Sequence, residues 1–516
     1  MSRLRDDWPL RLDEPLSWVF TLVICAAALA LRLHGLGMPH EVSFDEQHYV
    51  KEVWSLMNFG YAKDWPDDAS QQILEGNPNV WQDVADFVVH PMLAKWIIAI
   101  GVKLFGLNPF GWRFMCAVFG TLLVGAVMRM ARRLSRSTLI GAMAGLFIAC
   151  DGLAFVLSRL AILDIFQAAF AVVGTALVLR DRDWFREKLA AYLEKNALLN
   201  LGGKFGPAVL WRPYRLLAGV AFGLSCGCKW NTIYLVAVMG IMSVVSDWRS
   251  RRSAGARGAA WRSLISDTPL AFFYLVLVGL GTYIATWASW FATDGGWARQ
   301  WGAEHPDDPV VRLLGNALGS LWHYHVEIWD FHVGEFMQNA THPYDAHPAG
   351  WLVLARTIGI SATNGIQPGV DGCNADPGET CVRVVTGLGT PFLWWFAAIA
   401  LVAGLLFWIL GRDWRFAYPV AALAATWIGW FPNADRPVFL FYAIMIIPFS
   451  ATVLALCLGK ILGPPGKSER RLNGALIVGI CVLFIVCDFW FMYPVYSDQL
   501  MLRTSWQLRM WFRGWV

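Results

Sequence analysis

A helix needs about 20 apolar residues to cross the hydrocarbon core of a bilayer. This sequence has apolar runs of that kind at 16–36, 110–131, 138–157, 161–179, 215–228, 231–247, 269–291, 389–410, 415–432, 438–458 and 474–493. They predict an all-α polytopic membrane protein with about eleven transmembrane helices. The runs at 161–179 and 215–228 fit least readily, because their outer connections are so short. With 57% hydrophobic and 16% charged residues, the 516-residue chain is too apolar for a soluble protein. The net charge of +4 does not describe a nucleic-acid binder, because Lys and Arg fall in short groups between apolar runs rather than in one patch.

Those basic groups set an orientation, since Lys and Arg next to spans are retained on the cytoplasmic side. Arg3, Arg5 and Arg11 open the chain. Arg132, Arg133 and Arg136, the 180–215 connection, Arg249 to Arg262, Arg412 with Arg415, and Lys460, Lys467, Arg470 and Arg471 then occupy alternate connections. The N-terminus is expected inside and the tail from about 494 outside. The first apolar run is long and lacks a small-residue cleavage site, so it is expected to remain as a span.

Two long segments, 37–109 and 292–388, fall on the outer side and concentrate acidic, His, Trp, Asn and Pro residues, so water-side chemistry is expected there. Residues 91–106 and 319–340 are expected to form helices lying along the outer surface. Most cysteines sit in or beside spans as small apolar residues. Cys373 and Cys381 instead share a polar outer loop, where a disulfide is compatible with an oxidising exterior; zinc binding would need further partners.

Just beyond the first run, FDEQHYV carries Asp45 and Glu46. Ser43 and Glu46 have capping-box spacing, and Asp45 would favour the positive helix end. The same cap could hold Asp45 as a base for a hydroxyl, although a dipole-lowered pKa would weaken it. Arg113, Arg159, Lys229 and Arg436 fall at outer ends of spans. Each alone reads as a snorkelling side chain, and together they suggest a bound anion such as phosphate. Asp164 follows Arg159 closely enough to orient it or to form an ordinary ion pair. WHYHVEIWDFH is dense in ligand-type side chains, but no close metal-site spacing stands out, and packing against lipid and the first outer segment is the simpler reading. His90 with Pro91 has the form of a helix start, with a site role open as well.

Taken together, FDEQHYV, VVHPMLAKWIIAIGVKLFG, NPFGWRF, SRLAILD and CKWN resemble, in order and along nearly the whole chain, the bacterial form of the protein O-mannosyltransferases found in actinobacteria. The acidic pair after the first span is shared more widely among polyprenyl-phosphate-dependent transferases of the glycosyltransferase C type. The resemblance implies one integral-membrane glycosyltransferase domain over 1–516, with Asp45 as catalytic base and Glu46 beside it in acceptor positioning. It further implies Arg113 and Lys229 near the lipid phosphate, Arg159, Asp164 and His90 in support, and Arg436 on location more than motif. The sequence departs from the eukaryotic members in leaving no room for a MIR domain before HPYDAHPAGW.

The implied reaction is inverting transfer of mannose from polyprenyl-phosphate β-mannose to Ser or Thr hydroxyls of secreted or membrane proteins at a bacterial plasma membrane. No resident cofactor is firmly implied, and a divalent metal is left open. Expected partners are membrane lipid, the lipid-linked donor, acceptor polypeptides and, through emerging chains, a secretion translocon. Two alternatives carry different expectations. A related transferase would modify lipid or glycan, and a transporter would show mid-span ionisable residues and interrupted helices.

Overall fold

The computed structural model describes residues 15–466 and 468–516, so Arg3, Arg5, Arg11 and Lys467 lie outside the described residues. The first helix, α1 (Pro15–Leu33), leads into the 37–109 segment with α2 (Glu46–Phe59) and α3 (Leu93–Phe105). Asn108 then caps α4 (Pro109–Ser135), its side chain accepting from Gly111 N at 2.9 Å while Pro109 takes the first turn. The next apolar run divides into α5 (Thr138–Ala149) and α6 (Gly152–Leu157). Buried Asp151 breaks it, accepting from Ala154 N at 2.8 Å and Trp394 Nε1 at 2.7 Å.

Helix α7 (Asp164–Lys195) continues well past its apolar run, turning half of the expected 180–215 connection into helix. It packs against α8 (Pro213–Cys226), which is followed by α9 (Thr232–Arg251) and α10 (Val278–Ala285). Gly219 and Gly223 let α8 approach the 268–285 stretch closely, for a Cβ on Gly219 would lie 1.9 Å from Tyr274 O and one on Gly223 2.4 Å from Gly279 O. The 292–388 segment holds α11 (Pro309–Val333), which changes direction at Gly315 (φ 79°). The chain ends through α12 (Pro391–Ile409), α13 (Ala417–Ile428), α14 (Ile447–Leu462) and α15 (Glu469–Tyr496).

Among the described residues, six helices are long and apolar enough to cross a membrane by length and composition. The remaining expected runs also fall on helices, shorter or more polar than those six. The basic connections are partly neutralised from within. Arg212 and Arg215 pair with Asp181 and Asp247 at 2.6–3.0 Å, and Arg251 pairs with Asp267 at 3.0 Å, all buried.

The 37–109 and 292–388 segments and the tail fold onto one another. Tyr324 of α11 hydrogen-bonds the Val88 backbone at 3.1 Å. A small antiparallel sheet, absent from the all-helical expectation, joins β1 (Ile358–Ile366), β2 (Cys381–Gly387) and β3 (Met501–Leu502) in that order. Its signal in sequence is split, because β3 comes from beyond the last span. Cys373 and Cys381 are disulfide-bonded with Cα atoms 5.8 Å apart, and Leu500 and Leu502 pack on the pair.

Candidate active site

Asp45 and Glu46 are adjacent in sequence but occupy opposite environments. Glu46 is fully buried and saturated: Oε1 accepts from Arg113 Nε (2.8 Å) and Ala161 N (2.8 Å), and Oε2 from Arg113 Nη2 (2.7 Å) and Ser43 N (3.0 Å). The last contact is one half of the capping box; Ser43 Oγ turns instead to Glu41 at 2.9 Å. Asp45 is half-buried and makes no side-chain capping bond; its backbone carbonyl accepts from His48 N and Tyr49 N, whereas its carboxylate has no hydrogen-bond or ion-pair partner among the described residues. Loss of water around it pushes its carboxyl up to about 6, with Lys229 opposing and Asp164 and Glu52 reinforcing the rise. The dipole-lowered value expected from a cap is therefore overturned: the helix end is served by Glu46, and desolvation dominates at Asp45.

The four basic candidates separate as sharply. Arg113 is fully buried, and beyond its bidentate grip on Glu46 it donates to Pro39 O at 2.8 Å and Glu41 O at 3.0 Å. A guanidinium so enclosed has no face for a lipid phosphate, contrary to its expected placement. Arg159 likewise donates to Arg32 O at 3.2 Å, to His34 O and to Gly35 O at 2.8 Å. It closes the carbonyl end of α1, where a cation opposes the helix dipole. Asp164 does not orient Arg159; its Oδ2 holds Lys229 Nζ at 2.7 Å. Lys229 also stands 5.3 and 5.2 Å from the ring centres of Phe441 and Tyr442.

Arg436, which had the weakest motif, has the most open setting of the four. It is half-buried, has no carboxylate partner among the described residues, and donates to His332 Nδ1 at 3.4 Å. The other nitrogen of His332 faces Val89 O at 3.3 Å, so Nε2 carries the proton and Nδ1 accepts. Burial and then Arg436 hold His332 down to about 4, which keeps it neutral. His90 stacks on His332 at 5.5 Å and is held well below its ordinary value by burial and by Lys229, His332, Lys95 and Arg436. Pro91 lies just ahead of the helix-capping Met92 rather than in the first turn of α3. The remaining histidines of the cluster diverge: His323 stacks on Trp301 at 4.1 Å, and His325 bonds Tyr283 Oη at 2.6 Å. Among the described residues no three His, Cys, Asp or Glu side chains form a metal-binding group.

A cavity of about 560 Å³ joins this cluster to the membrane-embedded part. Phe222, Val236 and Leu280 line its apolar length, and His325, His332 and Arg436 its polar end. The apolar length suits a hydrocarbon chain and the polar end an anion. Tyr442, stacked on Trp430 at 4.4 Å, lies within electrostatic reach of Asp45, Asp164, Lys229 and Arg436 together. A potential base, a paired ammonium and an unpaired guanidinium thus gather around Tyr442, and the guanidinium lines the apolar groove. Sequence reasoning missed Tyr442, and it missed the Lys95–Glu52 pair (2.6 Å) beneath the site. The lysine inside the apolar 91–106 run was the available signal.

The chain as a whole resembles known proteins. Residues 22–203 match the family model for dolichyl-phosphate-mannose-protein mannosyltransferase, and residues 317–515 match that for the C-terminal four TMM region of protein-O-mannosyltransferase. A polyprenol-phosphate-mannose--protein mannosyltransferase of Mycolicibacterium smegmatis (strain MKD8) is 35% identical, with 98% of this chain and 94% of that protein covered. One from Corynebacterium glutamicum is 31% identical over 96% of this chain and 92% of that protein. The fold resembles a chain of the S. cerevisiae protein O-mannosyltransferase Pmt1-Pmt2 complex bound to the sugar donor, with TM-score 0.71, 13% identity, and 100% of this chain and 94% of that chain covered. The chain is a multi-pass membrane protein of glycosyltransferase C fold, and it belongs to the protein O-mannosyltransferase family.

Proposed function

We propose that this enzyme moves mannose from polyprenyl-phosphate β-mannose to Ser or Thr hydroxyls of polypeptides, inverting the anomeric centre. The observation that carries the reading is the half-buried, unpartnered Asp45 carboxylate, which shares electrostatic reach of Tyr442 with Lys229 and with Arg436, the guanidinium that lines the groove. The polyprenyl chain lies in the apolar groove and its phosphate meets Arg436 and Lys229. Asp45 takes the hydroxyl proton as the acceptor oxygen attacks the anomeric carbon, and the phosphate leaves with the electron pair of the broken bond. A base near pKa 6 is ionised at neutral pH yet basic enough to accept a proton, and such help is worth about 100- to 10,000-fold. The cations stabilise charge building on the phosphate. Glu46 and Arg113 act through position, holding the 39–46 turn rigid.

The outer segments and the C-terminal tail face away from the cytoplasm of a bacterial plasma membrane in this reading, so acceptors are met as they emerge from a translocon. The test is transfer of labelled mannose from polyprenyl-phosphate mannose to a Ser/Thr peptide by purified protein, with Asp45→Asn in parallel and a chelator arm for divalent metal. Transfer by the wild type and a loss of at least about 100-fold in the variant are expected. Modification of lipid or glycan with the peptide untouched would sink the acceptor assignment.

A further inference from the structure

Phe44 has φ of 53°, a left-handed conformation that residues with a Cβ seldom adopt. Its position matters because it immediately precedes Asp45, so its backbone angles help set the orientation of the Asp45 Cα from which the carboxylate projects. Strained backbone of this kind persists only where the surroundings hold it. The Glu46–Arg113 and Ser43–Glu46 contacts hold the turn on either side, and the Phe44 ring itself is held by aromatic side chains. The Phe44 ring meets Phe441 edge-on at 5.7 Å and Phe439 edge-on at 6.5 Å, and those two rings stack on each other at 5.4 Å.

The stack is itself braced by the second outer segment. His342 stands edge-on to Phe439 at 4.9 Å, Val438 N donates to Asp345 Oδ1 at 2.8 Å, and Ala346 N donates to Val438 O at 2.7 Å. On its other side, Phe441 is one of the rings beside the Lys229 ammonium. A single aromatic unit therefore touches the residue that aims the carboxylate and the lysine paired with Asp164.

We propose that Phe44 is a positioning residue, its left-handed backbone clamped by the Phe439–Phe441 stack so that Asp45 is aimed at the incoming hydroxyl. The inference rests on the reading of Asp45 as general base. It gives the THPYDAHP segment a role, which is to buttress the clamp from the far side. Removing the ring frees the 44–45 peptide to relax toward ordinary backbone, which turns the carboxylate away without altering the groove.

The test compares Phe44→Ala, Phe439→Ala, the double variant and Phe44→Tyr in purified protein of matched melting behaviour. Mannosyl transfer kinetics are measured with binding of polyprenyl phosphate. Each alanine variant is expected to lower kcat roughly 10- to 100-fold, the scale of an ångström-size misplacement, while polyprenyl phosphate binding is unchanged. The double variant should be no worse than either single one, since both remove the same clamp, and Phe44→Tyr should recover most of the rate. Should Phe44→Ala not fold, Phe44→Leu, which fills space without edge-on ring contacts, takes its place. Unchanged kcat, a loss seated in lipid binding, or multiplying losses would each overturn the proposal. Asp45→Asn run alongside separates the two readings: full activity there overturns the general base, whereas lost activity there with normal Phe44→Ala overturns the clamp alone.

Discussion

Replacing Arg113 by Met distinguishes most directly between a guanidinium that binds lipid phosphate and one that holds the fold. In the structure Glu46 and Arg113 are both fully buried and share contacts of 2.8 and 2.7 Å. The Met variant strands the Glu46 carboxylate in the interior with Ser43 N and Ala161 N as its remaining partners. Two hydrogen bonds to charged groups at about 1.5–3 kcal/mol each sum to roughly 3–6 kcal/mol. That agrees with about 3–5 kcal/mol for removing one member of a buried ion pair. The carbonyls of Pro39 and Glu41 lose donors as well, so the 39–46 turn loosens. Thermal unfolding in detergent, followed by tryptophan fluorescence and by size exclusion after heating, should show a large drop for Arg113→Met. Glu46→Gln/Arg113→Met, which buries no charge, should recover part of it. Polyprenyl phosphate binding by the fraction still folded should match wild type. Normal melting combined with weakened lipid-phosphate binding would refute the reasoning and return Arg113 to the donor site.

Asp45 holds its proton more tightly folded (about 6) than at its ordinary 3.8, so ionisation between those values weakens the fold. Asp45→Asn should therefore raise the unfolding temperature at pH 7 but not at pH 3, and the transfer rate of the wild type should climb as pH rises through about 6. Arg159→Gln should cost up to about 2 kcal/mol of stability, because it uncovers the carbonyl end of α1, with donor binding intact. Cys373→Ser with Cys381→Ser opens a link between residues 8 apart, worth about 2.5 kcal/mol in the chain-entropy account. Limited proteolysis should then cut the 497–516 tail faster, while the helical bundle resists as before.

The helical architecture was legible because a bilayer-spanning helix satisfies its own backbone, and hydrophobic length alone then locates it. The Asp45–Glu46 pair was legible as a motif, and so was the gathering of basic residues at one end of the spans. Their individual duties were not. Arg113, Arg159, Lys229 and Arg436 carry the same formal charge in sequence, yet the first two are spent on Glu46 and on α1 carbonyls, the third is paired with Asp164, and the last opens onto the groove. The small sheet escaped notice for a related reason, because β2 and β3 are separated by 113 residues between Gly387 and Met501 and no local pattern announces their pairing.

By itself, then, the sequence determined a multi-span helical membrane protein, its two long polar connections and the residues that compete for the chemistry. Hydrophobic length and charge spacing are local quantities, and they survive without knowledge of neighbours. Tertiary structure alone decided which cation stays unpaired, which carboxylate is left free and how far its proton affinity rises. Those depend on desolvation and on partners brought in from distant segments, and both act through distances that chain order does not contain.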